Sequence, residues 1–204
     1  MIAPVAVLLA AGEGRRMGGP KGLLVVDDKT LLRAHVERLR EVGCRRVVVV
    51  VRLAMAETAR VELSEMLEVE LLATNTASMG ESLAAALTRV ASSSEQEVIV
   101  SPVDTLPARL STLKALLDAV RLPGVAVATP CYLGRGGHPV VARERLLRAF
   151  REGYSGSLRT LIQTADAQRR RVDTADPAVI GDFDTPLDLA ALRPGLVPEF
   201  AGSS

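Results

Sequence analysis

The sequence predicts a single Rossmann-like domain of class α/β with three layers, in which a mostly parallel sheet lies between two layers of helices. Three observations support this fold class. Short aliphatic runs alternate with segments of helical periodicity along nearly the whole chain. These aliphatic runs are continuously apolar, as expected for strands that are buried on both faces. The 204 residues are 48% hydrophobic and 24% charged, which suits one compact core.

The first elements can be assigned from N-terminus to C-terminus. Residues 5–9 form an aliphatic run that predicts a buried first strand. Thr30 then precedes a segment with apolar residues at helical spacing, and Gly43 ends that pattern as a glycine after a helix would. Residues 46–51, an arginine followed by five valines, predict a second interior strand.

The rest of the chain continues this alternation. Helices are predicted at residues 54–66, 80–90 and 108–121, and strands at residues 69–73, 97–101 and 125–129. The remaining predicted elements are a short strand near 138–142, helices from Glu144 and Leu158, a strand near 171–173 and a helix after Pro186. We expect the domain to cover residues 1–194 and a short tail, rich in Pro, Gly and Ser, to cover 195–204.

Composition excludes several function classes. Lys and Arg number 25 against 24 Asp and Glu, so the net charge of +1 does not favour binding to nucleic acid or an anionic membrane. Aromatic residues make up only 2%, which argues against stacking on single strands. Two cysteines, Cys44 and Cys131, are too few for a disulfide framework. The apolar N-terminus lacks a basic leader and is too short to span a bilayer, so we expect a cytoplasmic protein.

A glycine-rich, basic segment, LAAGEGRRMGGPK, runs from Leu9 to Lys21 directly after the first strand. Ligands of open α/β sheets bind beyond the carboxyl ends of the strands, so a phosphate site is expected there. The dinucleotide fingerprint does not fit, because the glycines are spaced GxGxxxG and Pro20 would break the helix that must follow. The Walker A motif does not fit either, because Pro20 and Gly22 flank the lysine.

What remains is an extended loop whose glycines let backbone N–H groups approach an anion, with Arg15, Arg16 and Lys21 as charges. We therefore predict that the loop binds phosphate. The alternative is a basic surface turn in which the glycines are incidental.

The same loop resembles the signature loop of the nucleoside triphosphate transferase family, which includes molybdenum cofactor cytidylyltransferases, molybdopterin guanylyltransferases and sugar-phosphate nucleotidyltransferases. The family pattern is roughly LAAG, variable residues, Arg-Met-Gly and a later lysine. The resemblance implies a nucleotide-diphospho-sugar transferase type of fold and a loop that grips the triphosphate. It also implies that Lys21 stabilises charge on the reacting phosphates, and we expect Arg15 to add electrostatic stabilisation of the transfer. The nucleotide-binding residues implied in the loop are Leu9, Ala10, Ala11, Gly12, Gly14, Arg15, Arg16 and Lys21.

Carboxylates are expected near this loop, because nucleotidyl transfer normally requires Mg²⁺ to neutralise the reacting phosphates. Asp104, in SPVDTLP, follows the predicted strand at 97–101 and would lie at the same edge of the sheet. A turn or helix-cap aspartate is the alternative. The segment also resembles the metal-binding segment of the family, so we predict a catalytic metal ligand.

A second acidic cluster lies in GDFDTPLDL. Thr185 or Asp184 before Pro186 and Asp188 is also typical of a helix start, so the residues alone leave a structural role equally open. The segment resembles the DxDTPxD segment of the cytidylyltransferase branch, which implies a second metal contact. We expect Asp184 ahead of Asp182, with Asp188 as a helix residue.

Two further segments resemble the family. NTASMGESLAAAL resembles the segment that packs against the nucleotide, which implicates Asn75, Gly80 and Ser82; a helix cap at Gly80 or Ser82 is the alternative. GRGGHPVVARERL resembles the GHPV segment, which places Gly137 and His138 near the acceptor, although His138 would also suit a turn before Pro139.

Two other features are interpreted as structural. His35 lies on the apolar side of its predicted helix. The basic run at 169–171 is interpreted as a solvated strand edge or loop rather than a binding patch.

These features predict a Mg²⁺-dependent transfer of a nucleoside monophosphate from an NTP to a phosphorylated acceptor, with release of pyrophosphate. CTP is favoured, because the AAG of the loop, GHPV and DFDTP resemble the cytidylyltransferase branch. GYSGSLRTLI keeps Gly156 and Arg159 but lacks the aspartate of that branch, so molybdopterin and sugar phosphates both stay open as acceptors. A non-catalytic nucleotide-binding module is the alternative, and the presence of Asp104 and Asp184 favours an enzyme.

Overall fold

A mixed sheet forms the middle layer of the computed structural model, which describes residues 3–90, 93 and 95–202. The ten strands of this part of the chain are β1 (Val5–Ala10), β2 (Val25–Val26), β3 (Lys29–Thr30), β4 (Arg46–Arg52), β5 (Val69–Thr74), β6 (Glu97–Pro102), β7 (Val127–Tyr132), β8 (Arg135–Gly136), β9 (Val140–Arg143) and β10 (Arg169–Asp173). The seven α-helices described are α1 (Leu31–Glu41), α2 (Ala56–Glu62), α3 (Met79–Leu87), α4 (Leu110–Val120), α5 (Glu144–Arg151), α6 (Leu158–Thr164) and α7 (Pro186–Leu192).

The strand order explains where a ligand would bind. The main sheet runs β10-β7-β9-β6-β1-β4-β5, and β8 pairs with β7. Strands β8 and β9 run antiparallel to their neighbours, whereas the other pairs are parallel. Strands β4 and β6 lie on opposite sides of β1. The chain therefore leaves β1 towards one side of the sheet and later returns to its other side. This reversal opens a crevice beyond the carboxyl ends of β1 and β6, where ligands of such sheets bind.

Two hydrophobic clusters cover the two faces of the sheet. Leu31 of α1, Ala59 of α2, Leu113 of α4 and Leu189 of α7 belong to one cluster. Helices α3, α5 and α6 contribute to the other through Leu83, Leu147 and Leu161. The valines of β4 alternate between these clusters, because successive side chains of a strand point to opposite faces. The three-layer α/β fold with a mostly parallel sheet is therefore confirmed.

Several element boundaries differ from the prediction. Helix α2 is shorter than the predicted 54–66, because residues 53–55 form a 3-10 turn and the backbone leaves the helical conformation at Leu63, with a φ of −106° and a ψ of 4°. The hairpin of β2 and β3 was not predicted. Its turn residues Asp27 and Asp28 have φ values of 52° and 63°, the conformation of a tight two-residue hairpin turn that Asp tolerates.

Part of the C-terminal tail lies against the segment that follows the glycine-rich loop. Val25 N donates to Glu199 O at 2.8 Å, and Ala201 N donates to Leu23 O at 2.9 Å. Cys44 and Cys131 are both buried and free. No helix among the described residues is long and apolar enough to cross a membrane.

Candidate active site

The loop that follows β1 folds into a tight arch. Gly14 has a φ of 63°, and a Cβ at this position would overlap the carbonyl oxygen of Gly19, so only glycine fits there. Met17 N donates to Gly14 O at 2.8 Å, and the Met17 side chain is buried in the core. The arch is thus anchored at Met17, while Arg15 and Arg16 stay exposed beside it.

Two cations of the loop converge on one carboxylate. Lys21 Nζ lies 2.6 Å from Asp184 Oδ1, and an Arg16 nitrogen lies 2.6 Å from Asp184 Oδ2. The ammonium also lies 5.7 Å from the centre of the Phe183 ring, within range of a cation–π interaction. The hydrogen bond from Lys21 lowers the pKa of Asp184.

The segment with the second acidic cluster docks on the turn after β6. Phe183 N donates to Asp104 O at 2.9 Å, Asp182 forms a β-bridge with Thr105, and the Phe183 side chain is fully buried. Because Phe183 is anchored in the core, the residues on either side of it are held beside this turn. The fold thus brings Asp182 and Asp184 to Asp104.

Asp104 and His138 influence each other electrostatically. Burial raises the pKa of Asp104, and the charges of Lys21 and His138 partly oppose this rise. Burial likewise lowers the pKa of His138, against the opposing influence of Asp104 and Asp182. His138 N donates to Val179 O at 2.8 Å, whereas Nδ1 is buried without a hydrogen-bond partner among the described residues. Burial thus favours the neutral form of the His138 ring.

His35 supports the turn after β6 from inside the core, in agreement with its predicted structural role. Its Nε2 lies 2.8 Å from the carbonyl oxygen of Thr105, a distance at which the ring N–H donates to that oxygen. Burial lowers the pKa of His35 to about 4, so the ring is neutral at physiological pH.

Two cavities meet at Asp104. The first has a volume of about 380 Å³ and the second about 640 Å³, and both are lined by Met79, Pro102 and Asp104. The sequence-predicted residues that line the first cavity are Leu9, Ala11, Gly12, Gly14, Arg15, Arg16, Lys21, Ser82, Asp104 and Asp184. Those that line the second are Asp104, Gly137, His138 and Asp182.

Three predicted nucleotide-binding residues line neither cavity. Ala10 is buried within β1, and Asn75 is exposed in the loop after β5. Gly80 lines a separate cavity of about 270 Å³. The helix cap expected at Gly80 or Ser82 is instead Ser78, whose side chain accepts a hydrogen bond from Glu81 N. Ser82 is buried, and its hydroxyl lies 2.5 Å from that of Thr76.

Five arginines that were not predicted as site residues line the cavities, one in the first cavity and four in the second, two of these on β10. Arg52, at the end of β4, lines the first cavity and pairs with Glu13 at 2.9 Å. Arg169 and Arg171 of β10 line the second cavity. The basic run at 169–171 is therefore not only a solvated strand edge. The period-two alternation of a strand was the available signal, because it places residues 169 and 171 on one face.

The carboxylates have the donor chemistry that Mg²⁺ requires. The described residues contain no group of three or more His, Cys, Asp or Glu arranged to hold a metal by itself. However, Mg²⁺ is commonly bound by one or two carboxylates together with substrate phosphates. Asp104, a partly buried carboxylate with a raised pKa, and its neighbours Asp182 and Asp184 fit this pattern.

An arginine- and lysine-bearing glycine loop after β1, next to carboxylates at the carboxyl end of β6, defines an α/β enzyme of the nucleotidyltransferase class. The comparison with protein families agrees, since the MobA-like NTP transferase domain matches residues 6–172. The chain therefore belongs to the MobA-like NTP transferase family. A comparison with curated proteins finds no match.

Solved structures share the fold over nearly the whole chain. Rv0371c from Mycobacterium tuberculosis H37Rv is 23% identical, with a TM-score of 0.78 over 94% of this chain and 98% of that chain. Its homolog from Mycobacterium sp. strain JC1 is 27% identical, with a TM-score of 0.75 over 92% of this chain and 93% of that chain.

Two structural neighbours have been solved with ligands. Rv0371c has also been solved in complex with manganese; that structure is 22% identical, with a TM-score of 0.76 over 96% of this chain and 100% of that chain. CMP:2-keto-3-deoxy-manno-octonic acid synthetase has been solved with CTP. It is 16% identical, with a TM-score of 0.72 over 94% of this chain and 97% of that chain.

Proposed function

We propose that this enzyme is a Mg²⁺-dependent cytidylyltransferase of the cytoplasm that transfers CMP from CTP to the phosphate of a small acceptor and releases pyrophosphate. The observation that carries the proposal is the position of Asp104. This residue lines both the cavity with the basic loop and the larger cavity with His138. A group that contacts both reactants belongs at such a junction.

The first cavity suits a triphosphate. Arg15, Arg16, Lys21 and Arg52 line it, against the carboxylate of Asp184. A cluster of cations and loop N–H groups of this kind stabilises the charge of a polyanion where water is partly excluded. We propose that Lys21 and Arg16 exchange their contacts with Asp184 for contacts with the phosphates, and that Arg15 and Lys21 stabilise the departing pyrophosphate.

Mg²⁺ would be held by Asp104 and a second carboxylate, together with phosphate oxygens of the nucleotide. When bound, the ion neutralises charge on the reacting phosphates. Asp184 is paired with Lys21 and Arg16, whereas Asp182 has no ion pair among the described residues and interacts electrostatically with Asp104. We therefore propose Asp182 ahead of Asp184 as the second carboxylate, which reverses the order that the sequence suggested. The manganese complex of Rv0371c supports a divalent cation in this fold.

The transfer step requires no general base. The second pKa of a phosphate ester lies near 6, so the attacking oxygen of the acceptor is already ionised at neutral pH. This oxygen forms a bond to the α-phosphorus of CTP, the bond from that phosphorus to the bridging oxygen breaks, and pyrophosphate leaves with the electron pair. Positioning and electrostatic stabilisation supply the catalysis. His138 lines the larger cavity and would orient the acceptor there, and Gly137 lets the backbone pass close to Val179.

CTP is the proposed nucleotide for two reasons. The AAG of the loop, GHPV and DFDTP resemble the cytidylyltransferase branch, and one structural neighbour has been solved with CTP. For the acceptor, molybdopterin and sugar phosphates are the candidate compounds.

The proposal is tested by measuring Mg²⁺-dependent pyrophosphate release with each of the four NTPs against molybdopterin and a set of sugar phosphates. CTP with one acceptor should give the highest rate. Lys21→Gln and Asp104→Asn should each lower this rate at least about 100-fold, the effect of losing a group that stabilises transition-state charge.

Asp118→Asn is the matched control for Asp104→Asn. Asp118 is exposed on α4 and, among the described residues, pairs with Arg121 alone, so this variant should keep the wild-type rate. Wild-type turnover in Asp104→Asn or Lys21→Gln would contradict the assigned roles. Binding of CTP without pyrophosphate release from any acceptor would instead support a non-catalytic nucleotide-binding module.

A further inference from the structure

Four arginines from three separate elements line the larger cavity. Arg135 belongs to β8, Arg159 to α6, and Arg169 and Arg171 to β10. We call these four residues the arginine cluster. None of them lines the first cavity, which has its own cations for a triphosphate. The arginine cluster is therefore not needed to bind the nucleotide phosphates.

The charge of the arginine cluster is poorly balanced by the protein. Within the described residues, Arg135, Arg159 and Arg171 have no carboxylate within 4.0 Å, and Arg169 reaches only Asp166, at 3.9 Å. The two carboxylates of the cavity, Asp104 and Asp182, form no ion pair with any of the four. Burial and the neighbouring charge of Arg171 lower the pKa of Arg169. Most arginines outside the cavity are paired with a carboxylate among the described residues, whereas three of the four arginines in the cavity are not.

The side chain of Arg169 is held in the cavity by its contacts. Its Nε donates to Thr129 Oγ1 at 3.1 Å, and its side chain is only 14% exposed. Gly136 on β8 lies beside it, since a Cβ at that position would be in ordinary contact with Arg169 Nη2, at 3.5 Å. Strand alternation directs Arg169 and Arg171 into the cavity, whereas Arg170 lies on the other face of β10 with Val172.

We propose that the arginine cluster binds a second anionic group of the acceptor, separate from the phosphate that receives the nucleotide. The acceptor is then a small phosphate monoester that also carries a carboxylate. Guanidinium groups suit a carboxylate, because their planar N–H donors match its two oxygens at once. The inference rests on the proposed function only in assigning the larger cavity to the acceptor.

The geometry of the cavity supports two separate anion positions. The reacting phosphate must lie close to Asp104, where the two cavities meet. The cavity of about 640 Å³ extends from there to β10, and it is larger than one phosphate group requires. A single phosphate at the junction would leave Arg135, Arg159 and Arg171 without an anionic partner.

Two matched pairs of probes test the proposal by calorimetric titration of the full chain. Glycerol 3-phosphate is compared with 3-phosphoglycerate, and glucose 6-phosphate with 6-phosphogluconate, each with and without CTP. Only the second compound of each pair carries a carboxylate. At least one carboxylate-bearing probe should bind about tenfold more tightly than its partner, as expected for a charge-assisted hydrogen-bonded pair.

The variants Arg171→Gln and Arg169→Gln should each reduce this tenfold preference to about twofold or less. Arg170→Gln, which removes the same charge from the other face of β10, should keep it. Arg171 is exposed, so its variant tests the idea even where loss of the more buried Arg169 impairs folding. Equal affinity within both pairs, no detectable binding of either carboxylate-bearing probe at millimolar concentration, or an equal loss in Arg170→Gln would overturn the proposal.

The affinity for CTP separates this inference from the proposed function. Arg171 does not line the first cavity, so Arg171→Gln should leave CTP binding unchanged. Failure of the wild-type chain to bind CTP would refute the proposed function, whereas the preference for two-anion probes would still be measurable. Normal CTP turnover without that preference would refute only the arginine cluster as an acceptor site.

Discussion

Replacing Gly137 by alanine should destabilise the protein and displace the acceptor side of the site. A Cβ at this position would overlap the carbonyl group of Val179 and lie 3.2 Å from Ile180 Cγ2. That same carbonyl oxygen accepts the 2.8 Å hydrogen bond from His138 N. Overpacking of this kind costs about 1–3 kcal/mol, and loss of the hydrogen bond adds about 1 kcal/mol. The expected decrease in unfolding free energy is therefore about 2–4 kcal/mol.

Gly136→Ala is the matched control, because a Cβ there would meet its nearest heavy atom at 3.5 Å, an ordinary contact. Urea denaturation followed by circular dichroism measures both variants. Gly136→Ala should stay within about 0.5 kcal/mol of the wild-type protein. Gly137→Ala should also raise the KM for the acceptor more than the KM for CTP, because it displaces His138 and not the glycine-rich loop. An unfolding free energy of Gly137→Ala within about 0.5 kcal/mol of wild type would refute this reasoning.

Three further predictions concern the supports of the site. The first concerns His35, whose pKa is near 6.5 in the unfolded chain and about 4 in the folded protein. The stability contributed by the neutral ring is therefore complete above pH 6.5. The unfolding free energy should fall by about 3 kcal/mol as the pH decreases to 4. Denaturation at several pH values should show a shallower decrease in His35→Leu. Phe200→Ala removes the ring beside Gly19, and its KM for CTP should rise severalfold while the KM for the acceptor is unchanged, as measured by initial rates. Thr185→Ala breaks the capping box with Asp188 and should lower the unfolding free energy by about 1 kcal/mol in urea denaturation.

Most of the fold could be predicted because each interior strand carries its own signal. The valine run of β4 and the aliphatic run of β1 are buried on both faces, so their sequences are continuously apolar whatever lies around them. The hairpin of β2 and β3 has only two residues in each strand and no glycine in its turn, so no periodicity marks it. The antiparallel direction of β9 is likewise a property of the chain path and not of its four residues.

The two halves of the site differ in how far sequence could identify them. The proposed nucleotide half is built from contiguous segments whose glycine spacing and charges are themselves the signal, as in the loop from Leu9 to Lys21. The sequence could not rank Asp182 against Asp184 as the second carboxylate, because the ranking depends on which of the two the cations of the loop engage. In the folded protein Lys21 and Arg16 engage Asp184, and that pairing joins residues more than 160 positions apart.

The proposed acceptor half depends on arginines that lack carboxylate partners, and no pattern in the sequence indicates which arginines these are. Arg169, Arg170 and Arg171 are chemically identical in the sequence, yet strand alternation gives two of them to a cavity and one to the opposite face. An arginine with a carboxylate neighbour is a surface ion pair of little energetic consequence, whereas a group of arginines without one attracts an anion. Whether a basic run is a solvated edge or a binding site is therefore decided by tertiary charge pairing. In this enzyme the pairing leaves the surplus positive charge in the cavity that adjoins Asp104.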